Sequence, residues 1–147
     1  MVLKGSTTIN ASKEKVWAFL TEAEGVSQCA PGVETFEVLE PNKSFRVLAG
    51  IGFGTVKVKF NTDVEWLELD PPHRGKMKAH GKAPGSAADV ITEMALSDAP
   101  SGGTQLDWSA DVAINGTIAS LATRLMGSVA QKLAGAFFEC AKGKIEN

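Results

Sequence analysis

Between Val33 and Ile114 hydrophobic and polar residues alternate in a series of short runs; from about Gly116 the repeat lengthens to that of a helix. The clearest run is 55–67. Val56, Val58, Phe60, Thr62, Val64 and Trp66 fall on one face, and Lys57, Lys59, Asn61, Asp63 and Glu65 on the other. Strict alternation means one buried and one wet face, the pattern of an antiparallel sheet. Further strands are predicted at 2–10, 33–40, 44–51, 75–82, 87–97 and 104–114. Inward positions include Met77, Ala79 and Gly81, then Ala88, Val90, Thr92, Met94 and Leu96, then Leu106, Trp108, Ala110, Val112 and Ile114. Pro71-Pro72 and Pro100-Ser101-Gly102-Gly103 punctuate the runs as turns.

Two short helices are expected after the first strand. Asn10 or Ser12 can cap the first, and Val16, Trp17, Leu20 and Ala23 repeat at helical spacing. The second covers about 22–29 and stops at Pro31-Gly32. From Gly116 to Lys142, Ile118, Ala122, Leu125, Met126, Val129, Ala130, Leu133, Ala136, Phe137 and Cys140 share one broad face. At 1.5 Å per residue such a helix spans about 40 Å, enough to cross a sheet. The expected fold is α+β: a seven-stranded curved antiparallel sheet wrapped on a long C-terminal helix, in one domain over 1–147.

This arrangement leaves room for a cavity. Ala79, Gly81, Ala88 and Ala110 on the sheet face Ala122, Ala130 and Ala136 on the helix. Small residues facing small residues either draw the layers together or leave space. Expected ligand contacts are Val58, Phe60, Met77, Val90, Met94 and Trp108 from the sheet, and Leu121, Leu125, Met126 and Val129 from the helix. Each of these could also simply fill the core. Ile51 and Phe53, in the glycine-rich stretch 49–54, are expected to cover the cavity, unless that stretch is a plain hairpin turn or bulge. A second glycine-bearing loop is expected at 81–86. Gly50-x-Gly52-x-Gly54 precedes a strand and not a helix, so it is no dinucleotide loop.

Composition narrows the classes. Fifteen basic and seventeen acidic side chains among 147 residues give a charge of −2 and no basic footprint for nucleic acid. The opening MVLKGSTTIN lacks the apolar core of a signal peptide, and no run reaches the length of a membrane span. Cys29 and Cys140 are therefore expected as reduced thiols in a cytoplasmic protein.

Several stretches carry a resemblance. They are Ala30-Pro31-Gly32-Val33-Glu34, Gly54-Thr55-Val56-Lys57-Val58, and Gly81 to Ala87. Gly103 to Val112, Gly116 to Leu125 and Phe137-Phe138 follow. With these the chain resembles the G-subunit family of carbon monoxide dehydrogenase, within the START-like (Bet v-type) helix-grip superfamily. The resemblance covers almost the whole chain. It implies a molybdenum hydroxylase of the carbon monoxide dehydrogenase type as partner. It also implies a quinone-like (menaquinone-like) or lipid ligand as the only cofactor, and recruitment to the inner face of the membrane. By analogy with related helix-grip receptors, 49–54 and 81–86 would act as gate and latch. Family members often carry a C-terminal extension implicated in membrane attachment; the sequence here ends at Asn147.

No catalytic or metal-binding constellation emerges. His73, His80, Cys29 and Cys140 show no paired ligand spacing. Asp63, Glu65, Asp107 and Asp111 fall on outward faces, where no burial shifts a pKa for acid–base work. Arg124, opposite the apolar stripe, and Phe138, off the buried face by helical phase, are the candidates for a partner surface. The leading expectation is a non-enzymatic carrier. A small hydrolase or cyclase in the same cavity is the alternative, with Thr62 and Thr92 its only inward polar residues; a protein adaptor with a filled core is a third.

Overall fold

The computed structural model describes residues 1–146. The chain runs β1 (Val2–Ile9), α1 (Lys13–Leu20), α2 (Ala23–Cys29), β2 (Val33–Glu40) and β3 (Ser44–Phe53). It continues with β4 (Val56–Asp70), β5 (Arg74–Ala83), β6 (Ser86–Asp98), β7 (Thr104–Gly116) and α3 (Ala119–Ile145). The strands form one sheet in the order β1-β7-β6-β5-β4-β3-β2, and every neighbouring pair is antiparallel. Ser12 is the α1 cap: its Oγ accepts from the Lys15 N–H at 3.2 Å.

The sheet curls for a local reason. Register shifts fall at Val33/Thr35, Val38/Glu40 and Trp66/Glu68. An extra residue on one strand bends the pair and tightens its twist. The concave face then closes around α3.

The core is in two parts. At one end of α3, Ala141 and Ile145 pack with Ile9, Val16, Leu20, Leu96 and Leu106. At the other, Ile118, Ala122 and Met126 pack with Phe53 and Phe60. The β3–β4 and β5–β6 hairpins and the β7–α3 junction meet at this second end, where the Thr117 N–H donates to the Gly85 carbonyl at 3.0 Å.

Three expectations change. The glycine-bearing loops are much shorter than expected: β3 runs through Ile51 to Phe53, and β5 reaches Ala83. Only Gly54-Thr55 and Pro84-Gly85 remain as turns, each with its glycine at positive φ (64° and 74°). Glycine near a strand end read as a loop, whereas two residues suffice for a hairpin.

The apolar stripe of α3 also rotates. Its first half buries Ala122 and Met126 as expected, but its second half turns Ala134, Phe138 and Ile145 inward and leaves Ala136 exposed. That is a drift of roughly 100° about the axis at 3.6 residues per turn. It arises because the second half packs on α1 as well as on Ile9, Leu96 and Leu106 of β1, β6 and β7.

Cys29 and Cys140 are joined by a disulfide, not reduced. The packing of α2 beside α3 brings their Cα atoms to 5.4 Å, within disulfide range.

Candidate functional site

Between the two parts of the core lies a cavity of about 510 Å³, within the roughly 300–1,000 Å³ of small-molecule sites. Its floor is the concave sheet. Half of the inward residues of β5 and β6 are small: Gly75, Ala79, Gly81 and Ala88 beside Met77, Val90, Thr92 and Met94. Strand β7 adds Leu106, Trp108, Ala110, Val112 and Ile114. One wall comes from β3 and β4 through Ala49, Ile51, Phe53, Phe60, Thr62 and Trp66. The roof is α3, from Met126 and Val129 through Leu133 and Ala134 to Phe137 and Phe138. The space exists because strand alternation puts these small side chains opposite Ala130 and Ala134, and two bulky clusters at either end of α3 hold the layers apart.

The lining is almost wholly apolar. No ionisable side chain lines the cavity among the described residues; Thr62 and Thr92 bring its only hydroxyls. Thr62 already donates to the Phe60 carbonyl at 3.3 Å. The indoles of Trp66 and Trp108 lie in the wall, and four thioether or phenyl groups, Met77, Met94, Met126 and Phe137, can reshape around a guest.

Of the residues expected to touch a ligand, Ile51, Phe53, Phe60, Met77, Val90, Met94, Trp108, Met126 and Val129 line this cavity. Val58, Leu121 and Leu125 do not. They pack behind its wall, against the Phe53–Phe60–Met126 cluster at the hairpin end. Phe138 is corrected more sharply: it faces the cavity, edge-on to Phe137 with ring centroids 5.2 Å apart. Its expected role on an outer surface came from extending the phase of the first half of α3 into the second. Arg124 is exposed and makes no ion pair among the described residues.

Sequence reasoning missed one wall entirely. Val26, Ala30 and Pro31, from α2 and the residues just after it, close the side facing α3, with Leu20 of α1 and Leu3 of β1 nearby. A seven-residue helix holds too few turns to show a face by periodicity. The stop signal at Pro31-Gly32 marked the segment's end but not its contact.

The outward carboxylates have ordinary surface partners. Asp63 accepts from Arg46 Nε at 2.8 Å, and this hydrogen bond with the charge behind it pushes the guanidinium pKa further up. Asp107 accepts from Gln105, Asp111 lies 3.6 Å from the N-terminal amine, and Asp89 pairs with His80 across β5 and β6. Among the described residues no three histidine, cysteine or carboxylate side chains gather as a metal site. None of their helices is long and apolar enough to cross a membrane.

A conserved protein from Geobacillus kaustophilus has a similar structure, with TM-score 0.90, 23% identity, and coverage of 99% of this chain and 95% of that one. The Zhui aromatase/cyclase from Streptomyces sp. R1128 superposes with TM-score 0.75 at 17% identity, covering 99% and 93%. A START superfamily protein from Mycobacterium smegmatis does so with TM-score 0.73 at 11% identity, covering 99% and 97%. A curved seven-stranded sheet closed over an apolar space by one long helix is thus the START-like helix-grip fold. The family model for CoxG, the G-subunit of carbon monoxide dehydrogenase, matches residues 5–146. The chain belongs to that family. No curated protein matches the sequence.

Proposed function

We propose that this protein is a non-enzymatic carrier that holds a long apolar molecule, quinone-like or lipid-like, between the sheet and α3. It serves as an accessory factor to a molybdenum hydroxylase of the carbon monoxide dehydrogenase type, exchanging its ligand at the inner face of the membrane. The observation that carries this reading is the cavity: about 510 Å³, lined by apolar side chains and free of ionisable groups among the described residues. Such a space is dry and favours an apolar guest. Family membership supports the enzyme partner.

The likeness to an aromatase/cyclase favours a second reading, catalysis in the same cavity. Acid–base steps need a titratable group within reach of the substrate. Two threonine hydroxyls are a poor set for that work. The volume also speaks against a filled-core adaptor.

The test uses purified protein. Organic extracts are analysed by mass spectrometry, and a short-chain menaquinone is titrated while tryptophan emission is followed. Saturable quenching is expected, and it should fall in Trp66→Phe and Trp108→Phe variants. No extracted quinone or lipid together with no saturable quenching would overturn the reading. Catalysed cyclisation of an added apolar open-chain substrate would establish the second.

A further inference from the structure

The disulfide joins the two elements that close the cavity from above. Cys29 is the last residue of α2 and Cys140 lies on α3, 111 residues away. Each is flanked by cavity wall: Val26, Ala30 and Pro31 on one side, Phe137 and Phe138 on the other. The bond therefore ties wall to roof.

The rest of α2 is weakly held. It has seven residues, and its N-cap, Glu22, makes no side-chain capping bond. A helix this short is not stable alone. Its one buried side chain is Cys29. Beyond that, Ala23, Gly25, Val26 and Ser27 are half-buried, and Gln28 accepts an exposed hydrogen bond from Lys144 Nζ at 3.2 Å. Both ends of the segment are pinned. Thr21 Oγ1 donates to the Trp17 carbonyl at 2.8 Å, and the Gly50 N–H donates to the Gly32 carbonyl at 2.8 Å. Residues 22–31 thus form a flap anchored at both ends and fastened near its C-terminal end by one covalent bond.

We propose that Cys29–Cys140 is a redox site that latches this flap over the cavity, with protein dithiols as its reaction partners. The proposal rests on the carrier reading. Cys29 is 5% exposed, and Cys140 is the more accessible of the two. An incoming thiolate attacks Cys140 Sγ, the Sγ–Sγ bond breaks, and Cys29 leaves as a thiolate that takes up a proton. The reductant's second thiol then attacks the mixed disulfide. Cys140 departs as the second thiol and the reductant keeps the new disulfide. Two electrons and two protons have passed to the protein. Exchange in the opposite direction, with a disulfide-bearing partner, closes the latch. At the proposed cytoplasmic station such a bond fits the transient, redox-sensing class of disulfides.

Hydrogen exchange in the full chain, oxidised and under excess phosphine reductant, tests the latch, with Cys29→Ser and Cys140→Ser as fixed open forms. On reduction, amides 22–31 should exchange faster by a factor on the order of ten, with β5–β7 unchanged. Release of a bound short-chain menaquinone should speed up by a similar factor. Unchanged α2 exchange, equal release rates in the two forms, or loss of protection throughout the sheet would each overturn the proposal; the last would make the bond a global staple. If menaquinone binds neither form, the carrier reading fails, and α2 exchange still decides whether the flap is latched.

Discussion

Thr104 is 1% exposed, and its hydroxyl donates to the Ala11 carbonyl at 2.7 Å. It ties the start of β7 to the turn between β1 and α1. Thr104→Val keeps the shape and strands that carbonyl, so unfolding free energy should fall by about 1–3 kcal/mol in urea titration, while Thr104→Ser stays closer to the parent. At this scale the sequence was legible wherever a residue's neighbours shared its period. Ala79, Gly81, Ala88 and Ala110 announced the cavity because strand alternation alone turns them inward. The bond between Cys29 and Cys140 was not legible. It depends on two helices meeting across 111 residues of chain, a contact that no local period carries.

Elements diverged in the same way. The strands and α3 could be placed to within a few residues, because a half-buried sheet and a long amphipathic helix each repeat one period many times. What escaped is the change of partner along α3. One phase, carried through 27 residues, misplaced Ala136 and Phe138. The rotated stripe gives a direct check. Phe138→Ala should lower stability by about 1–3 kcal/mol, since its ring packs on Phe137 and the cavity wall. Ala136→Glu, on the exposed side, should change it by less than about 0.5 kcal/mol. Chemical denaturation of the two variants separates the phases: the original stripe demands the reverse order.

Across the whole molecule, two dense cores flank a space neither fills. A guest bound there joins them and stabilises the native state by mass action. At a free concentration about a hundred times Kd this is worth about 2.7 kcal/mol. For a chain of this size that raises Tm by about 5–10 °C, to be read by calorimetry with and without a short-chain menaquinone. The shift should be smaller for Ala110→Leu, whose larger side chain takes part of the space, although that variant alone should be about as stable as the parent. The sheet order has a further consequence, in the time before any ligand arrives. Among the described residues strand β1 pairs only with β7, Val2 opposite Asp111 and Ile9 opposite Thr104. On the ribosome β1 must wait, unpaired, until β7 has emerged. The roof over the cavity comes later still. Contacts of such long sequence separation make folding slow, and the nascent chain carries its apolar interior open to water, exposed to aggregation, until α3 is complete.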